Sequence, residues 1–252
     1  MNLDESTKEY DAAFNLVPGL TWLPWVGQHY SERSPHKRLL VVGESHYYNG
    51  ETPEERQANR EKWLVHPQYT REVVSESLVN YEWTTRTLDT IPRLLFKTND
   101  IDRPRLWGAS AYYNIVQRMM DYKRDGSPER PTWDDYVHGW KTFAEVVSII
   151  QPSQCLFIGV TAANSFNHWI ASQSVFTGCI NVTQNIGGTW ARLGKLEIGG
   201  KSTELIFVKH LGLPLSWAKW HDYLQTHHAE FMNWLATESY ANTCNNANHP
   251  VS

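Results

Sequence analysis

Leu39-Leu40-Val41-Val42-Gly43-Glu44-Ser45-His46-Tyr47-Tyr48 is an unbroken apolar run that stops abruptly in polar side chains able to do chemistry. A short run of this kind, closed by a glycine, reads as a buried strand. A second segment far along the chain, Leu205-Ile206-Phe207-Val208-Lys209-His210-Leu211-Gly212-Leu213-Pro214-Leu215-Ser216, has the same form. Each strand delivers one polar group to its carboxyl end, the Glu44 carboxylate and the His210 imidazole. In an open α/β sheet, ligands bind in the crevice outside those ends. Glu44 and His210 are therefore expected to meet across one crevice and to form the catalytic pair of an active site. Taken singly, each also has a structural reading, as Glu44 would if it only capped the next segment.

Working outward, the chain alternates strands and helices in the manner of an α/β layer architecture. Residues 37–43 form the first expected strand. The polar stretch Asn49 to Arg105 is read as two helices, Pro53 to Leu64 and Thr70 to Thr87, with Pro53 suited to a helix first turn. Ala109 to Tyr122 and Trp133 to Ile150 are read as helices, separated by an Asp125-Gly126-Ser127-Pro128 turn. Gln154 to Ile158 is a further strand, and Gly159-Val160-Thr161-Ala162-Ala163-Asn164 opens a helix to about Ser172. Cys179 to Thr183 is a strand. Thr189 to Val208 is a hairpin turning at Gly199-Gly200, a dipeptide that type I′ geometry favours. Leu215 to Leu235 is helical. The expectation is one domain over residues 1–238 and a disordered tail over 239–252, where asparagines accumulate without apolar periodicity.

Composition sets the outer limits. A chain of 252 residues can bury a full core. No stretch approaches the roughly 20 apolar residues that span a membrane, and Met1 to Tyr10 is polar and acidic, unlike a signal peptide. Cys155, Cys179 and Cys244 are too few and too scattered for a disulfide framework or a zinc knuckle. A cytoplasmic monomer without metal or cofactor is expected. The formal charge of −4 argues against a protein that coats nucleic acid non-specifically. Between Ile186 and His221, however, Arg192, Lys195, Lys201, Lys209 and Lys219 outnumber Glu197 and Glu204, which marks a candidate phosphate-facing window.

The order of these segments resembles the uracil-DNA glycosylase superfamily across roughly residues 37–235. The family opens with Gly-Gln-Asp-Pro-Tyr-His or Gly-Glu-Ala-Pro-Gly; here Gly43-Glu44-Ser45-His46-Tyr47-Tyr48 keeps the Gly-Glu and the tyrosine and lacks the proline. Its last motif, His-Pro-Ser and an apolar wedge, is represented by His210-Leu211-Gly212-Leu213-Pro214-Leu215-Ser216. The segment Gly159-Val160-Thr161-Ala162-Ala163 is similar to the family's Gly-x-x-Ala helix start. The resemblance implies a three-layer α/β sandwich with a central, largely parallel sheet and a monofunctional DNA glycosylase activity. By the same resemblance Asn114 falls where the family reads the flipped base. Ser45 and Tyr47 are expected to join it in substrate binding and Leu213 to act as the wedge; Lys209, beside His210 in the basic window, and Ser216 are expected to bind DNA phosphates.

The chemistry of the residues agrees with that resemblance. Cleaving an N-glycosidic bond develops a cationic sugar and an anionic leaving base, so the site needs negative charge or an oriented water on one side and a hydrogen-bond donor on the other. Glu44 suits the first role and His210 the second. A base leaving the helical stack must be held by an aromatic ring, here Tyr47 or Tyr48, and read on its edge. The Asn114 amide offers both a donor and an acceptor, so it fits uracil or cytosine. Modified pyrimidines, including the hydroxymethylcytosine derivatives of some phage DNA, stay open, as do roles in repair and in defence against foreign DNA. No motif lysine suggests Schiff-base chemistry, which favours a water-using mechanism. Two other classes remain: a catalytically silent nucleobase-binding module and a serine hydrolase. Against the hydrolase, Tyr47 replaces the second glycine of a nucleophile elbow.

Overall fold

The computed structural model describes residues 5–47, 50, 52–123, 127–238 and 240. Tyr48, Asp125, Gly126 and Cys244 lie outside these residues. So does the expected tail 239–252, Tyr240 excepted. Tyr240 is packed rather than disordered: it is 2% exposed, its ring lies 6.0 Å from that of Phe96, and its carbonyl accepts the Asp102 N–H.

In chain order the elements are α1 (Asp11–Phe14), β1 (Trp25–Val26), β2 (Leu39–Gly43), β3 (His46–Tyr47), α2 (Pro53–Leu64), α3 (Tyr69–Val74), α4 (Arg86–Phe96), α5 (Arg103–Gly108), β4 (Ala111–Asn114) and β5 (Met119–Met120). There follow α6 (Trp133–Ile150), β6 (Gln154–Ile158), α7 (Ala163–Ile170), β7 (Phe176–Ile186), β8 (Thr189–Ile198), β9 (Lys201–Val208), α8 (Trp217–His227) and α9 (Ala229–Thr237). Seven strands form one sheet in the order β1-β4-β2-β6-β9-β8-β7. The four central strands, β4, β2, β6 and β9, are parallel; β1, β8 and β7 are antiparallel to their neighbours. The sheet is therefore mixed, which corrects the expectation of a largely parallel one.

Two apolar layers cover the sheet, and the two-residue period of a strand explains how. Leu40, Val42, Tyr113, Cys155, Phe157 and Phe207 point to one face, where they pack with Trp140, Phe143 and Val147 of α6 and Phe166 of α7. Leu39, Val41, Tyr112, Leu156, Ile206 and Val208 point to the other, against Ile91 of α4, Leu224 of α8 and Phe231 of α9. All five residues of β2 are buried, as suits a parallel strand covered on both faces. The result is an α/β fold with a central mixed sheet flanked by helices. No helix among the described residues is long and apolar enough to cross a membrane.

Several expected elements differ. Residues 109–122 are not a helix: Ala111–Asn114 is β4, buried throughout, and Met119–Met120 is β5. A continuous apolar run fits a buried strand and a buried helix equally, and here the sheet decides. Thr70 to Thr87 is interrupted, since α3 gives way to a π-helical turn over Ser75–Val79 before a loop leads to α4. The last helix breaks at His228 into α8 and α9. Both Gly-Gly turns take positive φ, at Gly187-Gly188 and at Gly199-Gly200, so a second hairpin joins β7 to β8.

Candidate active site

The chain leaves β2 for β4 on one side and later returns through β6 on the other. The crevice outside β2 and β6 is thus the topological switch point of the sheet. A cavity of about 260 Å³ opens there, lined by Gly43, Glu44, Ser45, His46, Tyr47, Asn114 and His210. Glu44 comes directly after β2, Asn114 ends β4 and His210 lies two residues past β9. Two roomier clefts, of about 630 and 640 Å³, lie along the outer side of α6 and at the opposite end of the strands. Neither touches these residues.

The register of the sheet builds the cavity floor. Gly43 stands opposite Asn114 in the β2–β4 pair, and the Ile115 and Val116 N–H groups donate to the Gly43 and Glu44 carbonyls. The Asn114 side chain crosses the face of Gly43. A methyl group at that position would fall far inside van der Waals distance of Asn114 Oδ1 and the Tyr112 hydroxyl, so any side chain there would push both groups aside. Tyr112 donates to Asn114 Oδ1 at 3.2 Å, which fixes the buried amide. The oxygen is engaged and the amide nitrogen remains to donate.

The Glu44 carboxylate is hydrogen-bonded at one oxygen and faces a cation at the other, which has no hydrogen-bond partner among the described residues. Tyr136 of α6 donates to Oε1 at 2.6 Å, and Arg130 Nη1 lies 3.7 Å from Oε2. The Glu44 side chain is 12% exposed and Arg130 is 54% exposed, so the guanidinium reaches the carboxylate from the solvent side. Burial and the neighbouring carboxylate keep the Tyr136 hydroxyl protonated far above its ordinary range. A further void of about 10 Å³ lies between Glu44, Tyr136, Gly159 and Ala162, at the lower limit of space for one water.

His210 is set by its own turn. The Gly212 N–H donates to His210 Nδ1 at 3.1 Å and the Leu213 N–H to the His210 carbonyl. With Nδ1 accepting, the ring proton of the neutral imidazole sits on Nε2. Burial lowers the His210 pKa; Glu44 opposes that shift and Arg130 adds to it. His46 forms another part of the wall. Its Nε2 pairs with Thr70 Oγ1 at 2.9 Å, its ring packs on Trp22 and Tyr69, and burial takes its pKa down to about 3.

The remaining candidates lie around this core of the site. Ser45 Oγ is buried in the cavity wall. Tyr47 lines the cavity and donates to the Glu129 carbonyl at 2.9 Å, so its ring is fixed. Leu213 is 41% exposed on the loop beside His210. Lys209, half-buried, makes no hydrogen bond or ion pair among the described residues. Ser216 accepts the Lys219 N–H as the N-cap of α8.

The basic window does not form one patch. Arg192 is committed to the Val160 carbonyl and Lys201 to Gln151. Lys201 starts β9, roughly 23 Å along the strand from Val208 beside the site. Lys209 directly precedes His210 in the chain. Sequence reasoning missed Trp83, which lines the cavity, and Tyr136 and Arg130, which meet Glu44 only through tertiary packing. The one signal in the sequence was the hydroxyl of a tyrosine on the apolar face of α6, which requires a partner when buried. Among the described residues no group of three His, Cys, Asp or Glu side chains could hold a metal ion.

No known family model matches this chain, and no curated protein sequence matches it.

Proposed function

We propose that this chain is a monofunctional DNA glycosylase that hydrolyses the N-glycosidic bond of an extruded pyrimidine. One observation carries the reading: a carboxylate, an amide and a neutral imidazole donor converge from three parallel strands on one cavity at the switch point. At about 260 Å³ the cavity lies just under the range of about 300–1,000 Å³ that takes drug-sized ligands. A single base ring suits it better than a nucleotide cofactor does.

In this reaction the base departs as an anion while the sugar carbon becomes cationic. His210 Nε2–H donates to the carbonyl oxygen of the leaving base without giving up its proton, and Glu44 stabilises the sugar cation. A water beside Glu44 and Tyr136 then attacks the sugar carbon. Its proton passes to the carboxylate, and solvent protonates the released base. Tyr136 acts as a positioning residue for Glu44. Asn114 reads the base edge with its amide donor, Tyr47 forms the wall against the ring, and Leu213 fills the vacated stack. Lys209 and Ser216 take phosphates. Uracil and modified cytosines, hydroxymethylcytosine derivatives of phage DNA among them, are the substrates to try, in repair or in defence against foreign DNA.

The second reading, a silent nucleobase-binding module, is favoured by the Arg130–Glu44 pair, in which a cation from the solvent side offsets the charge of the carboxylate. Oligonucleotides bearing uracil, mismatched thymine, deaminated purines and modified cytosines, together with phage genomic DNA, separate the two by abasic-site formation. Base release that falls well over tenfold in both Glu44→Gln and His210→Ala supports the enzyme. DNA binding without release from any substrate supports the module.

A further inference from the structure

We infer that Trp83 is a stacking subsite for the nucleobase adjoining the extruded one, and that the protein engages single-stranded or locally opened DNA in preference to closed duplex. The inference rests on the glycosylase reading and deepens it by placing the neighbouring nucleotide.

Trp83 lines the same cavity as Glu44, Asn114 and His210, yet it remains 38% exposed. What distinguishes Trp83 from other exposed aromatics is its place: its indole face borders the cavity that holds the polar groups, where a base can stack on it. Its ring is held in place, because the indole Nε1–H donates to Glu76 Oε2 at 2.8 Å. The loop that carries it is braced. Tyr81 sits in the left-handed region at φ 57°, its hydroxyl donates to Asp89 at 2.8 Å, and the Arg103 guanidinium stacks 4.0 Å above its ring. A side chain already pinned loses little further freedom on binding, which is the economy of preorganisation.

Charge selects what lies on that ring. Glu76 and Glu82, both exposed, flank Trp83 and repel phosphate from its margin. Arg86, exposed at the start of α4, and Lys209, half-buried beside His210, make no ion pair among the described residues. The backbone is thus drawn toward Arg86 and Lys209 while an uncharged flat face meets the indole. The loops are adjacent: a methyl group on Gly212 would lie 2.7 Å from Thr87 Oγ1. Leu213 and Trp83 therefore stand at one mouth, an aliphatic side chain suited to a gap in a stack and an aromatic suited to a base face. A base seated on Trp83 has itself left the helix, which is the reason closed duplex binds less well.

The test uses Glu44→Gln protein, to remove turnover, and short single-stranded oligonucleotides with a tetrahydrofuran abasic analogue and 2-aminopurine on either side of it. Stacking is expected to quench 2-aminopurine at one of the two positions and to favour the single strand over the matched duplex. Adding Trp83→Ala should abolish the quench and weaken single-strand binding by roughly 5- to 150-fold, the span of base–aromatic stacking. Trp83→Phe should retain most of both, and Trp83→Leu, which keeps apolar bulk without a π face, should lose them with an unchanged melting temperature. Leucine or alanine binding within about twofold of tryptophan, while the unmodified protein still releases a base, overturns the subsite and leaves the glycosylase reading standing. An unmodified protein that neither binds these oligonucleotides nor releases a base overturns both.

Discussion

Lowering the pH tests how dry the cavity wall is. His46 is 7% exposed, its ring packs on Trp22 and Tyr69, its Nε2 pairs with Thr70, and burial is the cause that takes its pKa from 6.5 to about 3. The unfolded chain binds a proton at this residue below about pH 6.5, and the folded chain does so only near pH 3. The pH-dependent stability linked to His46 is therefore fully present above 6.5 and is lost progressively as pH falls toward 3. The slope reaches about 1.4 kcal/mol per pH unit, so between about pH 7 and pH 4.5 this single residue costs about 2.5 kcal/mol. His46→Gln keeps an amide nitrogen for Thr70 and removes the titration. Urea unfolding of both proteins at the two pH values isolates the residue, because all other titrating groups are shared. The wild type should lose about 2.5 kcal/mol more than the variant. Parallel losses, within about 0.5 kcal/mol, would mean that His46 is protonated in the folded protein and that the wall is wetter than the packing implies.

Three further outcomes derive from the site geometry. Gly43→Ala places a methyl group where Asn114 Oδ1 and the Tyr112 hydroxyl lie; the overpacking should cost about 1–3 kcal/mol in thermal or urea unfolding. The displaced amide should lower base release by roughly 10²-fold, and a variant with normal activity would remove Asn114 from base reading. Tyr136→Phe takes away one of the two groups on Glu44; a hydrogen bond to a charged group is worth about 1.5–3 kcal/mol, so single-turnover release should fall roughly 10- to 150-fold with DNA affinity unchanged. Lys209→Ala should flatten the plot of log affinity against log salt by about 0.9 on duplex DNA and leave base preference intact, whereas an unaltered slope places the phosphates elsewhere.

Much of the sheet was legible because buried parallel strands announce themselves as short apolar runs. Leu39–Gly43, Gln154–Ile158 and the hairpin through Gly199-Gly200 lie where such runs and a glycine pair place them. Ala111–Asn114 misled for the same reason: Ala-Tyr-Tyr-Asn has no alternation when both faces are buried, so period alone could not separate strand from helix. The loop before α4 was illegible, since its shape rests on a left-handed Tyr81 braced by Asp89 and Arg103, contacts that no local pattern encodes. Within the site, Glu44 and His210 could be picked out because residues just past the carboxyl end of a buried strand emerge at the rim of the sheet. Tyr136 and Arg130 could not, because they come from other elements and meet Glu44 only after packing.

The glycine of Gly43-Glu44 illustrates how a motif can be read rightly for an incomplete reason. As sequence it marks where a strand stops and a carboxylate begins. In the fold its backbone is an ordinary member of β2, and what matters is the missing side chain, because parallel pairing with β4 sets Asn114 opposite it. One register thus performs two tasks: it carries Glu44 past the end of the sheet, and it lets the amide lie flat across the neighbouring strand with Tyr112 holding its oxygen. Slipping β4 by one residue would turn Asn114 to the opposite face of the sheet and leave a polar amide in the apolar layer. The burial that stabilises the sheet is therefore what specifies the distance between the Asn114 amide and the Glu44 carboxylate. A change in either apolar layer that loosens the β2–β4 pair reaches the site through this one contact.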